Sequence, residues 1–397
     1  MTKAVPYPFP PFTTDEYSDR IVGARRLMEA ARLDALLLTI EANFRYFTGY
    51  HSQSWVSPTR PLFLILPLEA EPIAVVPNSF RIAMERMSWL SDVRCWSAPF
   101  PADDGVSLLA GALREAAGNG GTVGAEFGPE TQLRMPINDF LRVREAIAPA
   151  RLIDGSPIMR TLRMTKSAPE VARMRHIAGI VSAGFAALSG KLRIGMSERD
   201  ACLALQVDIM RGGAEKIPYL VCASGREGYD TINTSPGERV IGGGDLLIID
   251  TGSTVDGYFC DFDRNFTFGT PSLTAKSAHA RVHDATEAGI AALKPGCLAR
   301  DIWLAMAASL GRETVMDSSV GRMGHGLGLQ LTEPPSVHPD DNTVLDVGMV
   351  ITLEPGIAYA ASDGSRRVMV HEENLVITEP GAELLTTRAP AEMPVII

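Results

Sequence analysis

Residues 246–268 read LLIIDTGSTVDGYFCDFDRNFTF, and this stretch decides the fold. Leu246–Asp250 is an apolar run that ends on an acid. Gly252 to Gly257 supply a turn region, and beyond it Gly257–Phe259 and Asp261–Phe268 alternate with a period of two. Alternation of that kind marks strands, and two such runs across a short turn make an antiparallel hairpin. A hairpin here is expected to fold Asp261 back beside Asp250.

Working outward, strand periodicity returns at Val350–Leu353, which runs into Glu354, and at Glu372–Thr378, which starts on an acid. Helical periodicity lies between, at 168–189, 197–211, 273–293 and 299–313. Ser167 is a natural cap for the first of these, with Pro169 in its first turn, and Lys294-Pro295-Gly296 stops the third. Helices segregated from an antiparallel sheet predict an α+β domain over 159–397. Ahead of it, a helix capped near Thr13 and running to Arg32 precedes short apolar runs at Ala35–Ile40, Leu62–Leu66, Ile73–Val76, Val93–Trp96, Thr122–Ala125 and Arg151–Ile153. Helical stretches near 78–89 and 103–117 alternate with these runs, so 1–158 is expected to be a smaller α/β domain. Residues 4–12 are Pro-rich and aromatic, and cannot be helical.

Bulk composition excludes several classes. The 397 residues suffice for two cores, and their net charge of −10 offers no basic face for a nucleic acid. Five cysteines, an odd number without a CxxC spacing, argue against a disulfide framework or a thiolate zinc site. No apolar stretch reaches the length of a membrane span, and the first twelve residues lack the apolar core of a signal peptide, so the cytoplasm is the expected location.

The chemistry is carried by Asp250, Asp261, His325, Glu354 and Glu372. Four stand at or near strand ends, and His325 lies in Met323-Gly324-His325-Gly326-Leu327-Gly328, where three glycines let backbone pass close to a neighbour. Carboxylates packed together repel and protonate unless a cation neutralises them. Four carboxylates balance two divalent cations.

The order of these residues resembles the pita-bread metallopeptidase family M24, which includes aminopeptidase P, prolidase, methionine aminopeptidase and creatinase. Asp250-Thr251-Gly252 with Cys260-Asp261-Phe262-Asp263-Arg264-Asn265-Phe266 resembles the family's DAG…SDxTRTF. Gly324-His325-Gly326-Leu327-Gly328-Leu329 with Glu333-Pro334-Pro335 resembles GHGIGLxxHExP. Thr352-Leu353-Glu354-Pro355-Gly356-Ile357 and Glu372-Glu373-Asn374-Leu375-Val376-Ile377-Thr378 resemble TxEPGIY and EDxVLVT. Asn43 to Tyr50 is similar to the amino-terminal domain of creatinase and prolidase. The resemblance implies a C-terminal pita-bread domain in which Asp250 serves one metal, Asp261 and Glu372 bridge, and His325 with Glu354 serve the other. Mn²⁺ is the expected ion, with Co²⁺, Fe²⁺ or Zn²⁺ as alternatives. It further implies hydrolysis of an amide bond by a metal-bridging hydroxide, with Glu354 passing the proton to the leaving nitrogen.

The pattern also breaks. Two histidines that contact substrate in the family's peptidases are here Asn233 and Thr332, catalytic candidates that can still donate hydrogen bonds, and Asp263 stands where the family has Thr. On a strand, Asp263 shares a face with Asp261 and reads as an extra acid, an extra ligand, a base or the partner of an Arg. His371 should point away from its neighbour Glu372. Arg60 resembles a creatinase Arg that binds a substrate carboxylate across a dimer, and Tyr50, His51 and Trp55 in the same loop are candidate pocket walls. A homodimer is therefore expected. Three readings stay open: an Xaa-Pro dipeptidase or aminopeptidase, a hydrolase of a small non-peptide C–N substrate of the creatinase or ectoine-hydrolase kind, and a metal-assisted lyase of the dimethylsulfoniopropionate-lyase kind. A non-catalytic binding module would have no reason to keep the five residues.

Overall fold

A computed structural model of the chain describes residues 9–311 and 321–397. Residues 4–8 of the Pro-rich start and 312–313 of the last expected helix lie outside the described residues. The described residues divide into two compact units, Pro10–Arg163 and, together with Phe9, those from Met164 onward. The division falls in the last turn of a helix, Ser156–Met164, that runs through the boundary expected near 158. No described helix is long and apolar enough to cross a membrane.

The N-terminal unit runs α1 Thr14–Ala31, β1 Ala35–Leu38, α2 Glu41–Thr48, β2 Phe63–Pro67, β3 Ile73–Pro77, α3 Arg81–Met87, β4 Asp92–Trp96, α4 Val106–Ala117, β5 Thr122–Ala125, α5 Ile137–Ala146, β6 Arg151–Asp154 and α6 Ser156–Met164. One sheet in the order β4-β3-β2-β1-β5-β6 carries it. The β1–β2 and β2–β3 pairs are antiparallel and the others parallel. Leu37, Ile65 and Val75 pack with Leu109 and Leu113 of α4 into its core. The expected strands are present, and α2 is an element that sequence periodicity leaves unassigned. Its sequence, EANFRYFT, is rich in strand-forming aromatics. Burial of a carboxylate at its start, described below, and Gly49 at φ 73° after its end fix the helix instead.

The C-terminal unit runs α7 Ala168–Leu188, α8 Glu198–Gly212, β7 Lys216–Arg226, β8 Asp245–Val255, β9 Tyr258–Phe268, α9 Leu273–Ala292, α10 Ala299–Leu310, β10 His325–Gly326, β11 Glu333–Ser336, β12 Val350–Leu353, β13 Gly356–Ala360, β14 Arg366–Val370, β15 Glu373–Thr378, β16 Gly381–Leu384 and β17 Val395–Ile396. Ser167 and Glu170 form the capping box of α7. Two sheets, β17-β9-β8-β7 and β11-β10-β12-β15-β16, pack with α9 and α10 around a core containing Val282, Ile302, Met306, Ile351, Leu353 and Leu375. The α+β expectation holds.

The deciding hairpin is tighter than expected. Only Asp256 and Gly257 turn the chain, at φ 51° and 78°, the left-handed pair required by the commonest two-residue hairpin. Strands β8 and β9 therefore extend through the anticipated turn region, and the register is set one residue at a time from Val255↔Tyr258.

Candidate metal centre

That register places Asp250 directly opposite Asp263, and Gly252 opposite Asp261. Residues opposite one another share a face, so all three acids project to one side of the hairpin. A Cβ at Gly252 would meet the end of the Leu331 side chain at 2.2 Å, so that side chain would have to shift. The second sheet brings the remaining groups. His325 lies in β10, squeezed between β11 and β12. A Cβ at Gly324 would lie 2.1 Å from the Thr352 carbonyl oxygen, and one at Gly326 would lie 2.0 Å from that of Pro334. Those are the neighbours to which the glycines permit approach. Glu354 follows β12, its N–H donating to the Met323 carbonyl at 2.9 Å, and Glu372 immediately precedes β15.

Asp261, His325 and Glu372 each offer a ligand atom, and these atoms all lie within 4.8 Å of one another. The His325 Nδ1 lies 2.9 Å from the Gly326 carbonyl, which fixes its proton there. The lone pair is thereby left on Nε2, which faces Asp261 Oδ2 at 3.6 Å. Burial lowers the His325 pKa to about 4, so the imidazole is neutral and able to act as a ligand. Burial, followed by repulsion from Asp250, Glu354 and Asp263, raises Asp261 well above the usual carboxylate range. Glu372 is raised likewise, by burial and then by Asp261, Glu354 and Asp250. Burial pushes Asp250 up to about 6 and, with repulsion from Asp250, Glu354 up to about 7. The structure thus brings Asp261, His325 and Glu372 together, with Asp250 and Glu354 near enough for their charges to act on Asp261 and Glu372.

The donor set fits a divalent cation on a direct observation. Oδ1 of Asp250, Oδ1 of Asp261 and Oε1 of Glu372 are buried without a hydrogen-bond partner. Three orphaned acceptors in one place are costly unless a positive charge meets them.

Asp263 is buried beside this group and raised well above the carboxylate range, by burial and then by Asp250. Its carboxylate does not pair with Arg264, which donates to the Asp263 carbonyl at 2.6 Å and to the Glu373 carboxylate at 3.0 Å. Asn265 Nδ2 approaches Asp263 Oδ1 at 3.4 Å. Asn233 is exposed, its N–H donating to Thr231, and Thr332 is half-buried in the turn before β11. Among the described residues, neither makes a hydrogen bond to the five groups. His371 is buried, its ring between Thr286 Oγ1 at 3.1 Å and Arg388 at 2.9 Å. Tyr50 and Trp55 pack their rings against Phe44 inside the N-terminal unit, while His51 and Arg60 are exposed there.

Sequence reasoning missed two groups. The Tyr219 hydroxyl on β7 donates to Asp250 Oδ2 at 3.1 Å and also feels Asp261 and Glu372. Only the neighbouring strand brings it there, and β7 carries a register shift between Lys216 and Tyr219 that hides its phase. Arg322 is half-buried, and its charge lowers the pKa of Asp261, Glu354 and His325. Nothing in its local sequence marks it out.

Comparison with known proteins agrees with this geometry. Residues 172–379 match the model of metallopeptidase family M24, and residues 20–165 match the creatinase/prolidase N-terminal domain. The chain is 25% identical over 387 residues to a probable dipeptidase, PepE, of Mycobacterium bovis, covering 97% of this chain and 98% of the relative. The crystal structure of dipeptidase PepE from Mycobacterium ulcerans superposes with a TM-score of 0.83 at 25% identity, covering 98% of this chain and all of the other. Agropine synthesis cyclase of Rhizobium rhizogenes is 27% identical over 396 residues, covering 93% of this chain and 95% of the relative.

Proposed function

This chain belongs to metallopeptidase family M24, and we propose on that premise that it is a hydrolase whose carboxylate centre holds two divalent metal ions and cleaves the amide bond of a dipeptide, in the manner of an Xaa-Pro dipeptidase or aminopeptidase. The observation that carries the reading is the set of orphaned, buried acceptors on Asp250, Asp261 and Glu372 beside a neutral His325. Similarity to probable dipeptidases over nearly the full chain supports the substrate class.

Asp250, Asp261, His325 through Nε2, Glu354 and Glu372 would hold the ions. Oxygen-rich ligation makes Mn²⁺ the first ion to try, ahead of Co²⁺, Fe²⁺ and Zn²⁺. Divalent ions bound there supply Lewis-acid polarisation of the substrate carbonyl and acidify water at neutral pH. Glu354 would take a proton from the attacking water and return it to the leaving nitrogen. The Tyr219 hydroxyl donates to Asp250 and is a neutral donor at the centre, in a protein with neither of the two family histidines. Asp263 adds a fifth acid, whose charge the neighbouring Arg264 offsets in part. Arg60, His51, Tyr50 and Trp55 remain candidates for substrate contact, and a homodimer remains part of the proposal.

A panel of Xaa-Pro dipeptides with added Mn²⁺ tests the reading. Turnover of at least one member is expected. Silence on every member, with the metal bound, would move the assignment to a small non-peptide C–N substrate. That second reading is favoured by the loss of both histidines to Asn233 and Thr332, neither of which touches the centre. Asp263→Thr restores the family residue. Loss of turnover with metal retained makes Asp263 a base, and full turnover leaves it as charge balance only.

A further inference from the structure

Strand β9 carries Asp261, and the segment that leads into β15 carries Glu372, yet the two strands belong to different sheets. What joins them is a row of side chains acting as backbone. The Asn374 carboxamide accepts from the Asp261 N–H at 2.9 Å and donates to the Asp261 carbonyl. One residue thus satisfies both main-chain groups of Asp261, as a neighbouring strand would. Two further links run in the opposite sense. Arg264 donates to the Glu372 carbonyl at 3.1 Å, and Asn265 Nδ2 donates to the Val370 carbonyl at 2.8 Å. The links Asp261 to Asn374, Asp263–Arg264 to Glu372, and Asn265 to Val370 step in one antiparallel register. Asn374 is fully buried, and Tyr229 braces Asn265 through its Oδ1 at 2.9 Å.

A direct ladder would bring the backbones to about 4.8 Å and leave no gap between the sheets. A side-chain ladder holds them further apart while keeping register, and the carboxylates of Asp261 and Glu372 meet in the space it preserves. We propose that Asn374, with Arg264 as its counterpart, is a positioning residue whose side-chain clamp sets the spacing of Asp261 and Glu372 and so determines the affinity and geometry of the metal centre. Neither side chain is a ligand. The inference rests on the metal reading above, and its chemistry is that of outer residues that orient ligands.

Cobalt titration of the full-length protein tests it, followed by visible absorption and by calorimetric affinity for Mn²⁺. The Asn374→Ala variant is expected to bind about 10- to 100-fold more weakly and to give a changed cobalt spectrum. Leu205→Ala in α8, a fully buried apolar position away from the centre, is the control for lost stability and is expected to keep wild-type affinity and spectrum. Should Asn374→Ala fail to fold, Asn374→Asp serves in its place, since it keeps the acceptor for the Asp261 N–H and loses the donor to the carbonyl. Affinity within twofold of wild type, or an equal loss in Leu205→Ala, overturns the clamp. Absence of cobalt uptake by the wild-type chain overturns the metal reading itself, a separate and recognisable outcome.

Discussion

Each unit of this protein buries acid, and the two do so in opposite ways. In the N-terminal unit, Glu126 Oε2 accepts from the Thr39 N–H at 2.6 Å, the Thr39 hydroxyl at 2.6 Å and the Ile40 N–H at 3.2 Å, while Oε1 accepts from Asn43 at 2.6 Å. Arg163 holds Asn43 from behind at 2.6 Å. Both oxygens have partners, and the carboxylate does the work of a cap at the start of α2. In the C-terminal unit, acids equally buried turn oxygens toward one another and leave three of them without a partner. Burial alone therefore does not mark a site. A buried acid with its hydrogen bonds complete is architecture, whereas a group of them with orphaned oxygens awaits a ligand.

The contrast is most exposed by neutralising one acid in each unit. Asp261→Asn should cut turnover roughly a hundred- to a thousandfold, as expected when a metal-held charge is lost. In metal-free protein near neutral pH the same change should raise the melting temperature, because it removes a buried acid that can ionise freely only in the unfolded chain. Glu126→Ala should leave kcat unchanged and cost about 2–5 kcal/mol of stability, from the donors it strands. If Asp261→Asn destabilises the metal-free protein as Glu126→Ala does, the distinction between the units fails.

Titration sharpens the same point. Asp250 and Glu354 rise from ordinary carboxylate values to about 6 and about 7 in the folded protein. The folded state then binds more protons than the unfolded one between about pH 4 and pH 7. Metal-free protein should accordingly lose stability as pH rises through that window, and keep it below. Metal-loaded protein should gain stability as pH rises there, because protons compete with the ions. Melting curves with and without Mn²⁺ across the window check the opposite slopes.

Much of this centre was legible in the sequence because its parts sit where periodicity changes. Asp250, Glu354 and Glu372 stand within or beside apolar strands, and His325 sits among glycines whose need for close approach is visible without coordinates. The details that were not legible depend on register and on partners far away in the chain. The two-residue turn at Asp256-Gly257 moved Asp263, rather than Asp261, opposite Asp250. Tyr219 reaches Asp250 only because β7 pairs with β8 beyond a register shift. Asn374 reads as one more polar residue in a strand until β9 lies beside it. In the N-terminal unit, α2 was invisible because its helical state comes from Glu126, more than 80 residues away, rather than from its own propensity.

Smaller effects probe the edges of the comparison. Tyr219→Phe removes a single hydrogen bond at Asp250 and should lower kcat about tenfold with metal content intact. An unchanged kcat would reduce the hydroxyl to packing. Arg60→Ala, at an exposed position of the N-terminal unit, should raise KM by about two- to fivefold and spare kcat. An unchanged KM would remove Arg60 from the substrate's path and leave that unit purely architectural.

The most direct test is calorimetric titration of Mn²⁺ into metal-free, full-length protein, with the released protons counted in buffers of different ionisation enthalpy. Two ions per chain are expected, with protons expelled on binding because the raised acids must ionise to hold them. No uptake at millimolar Mn²⁺, or turnover that survives exhaustive chelation, would contradict the account.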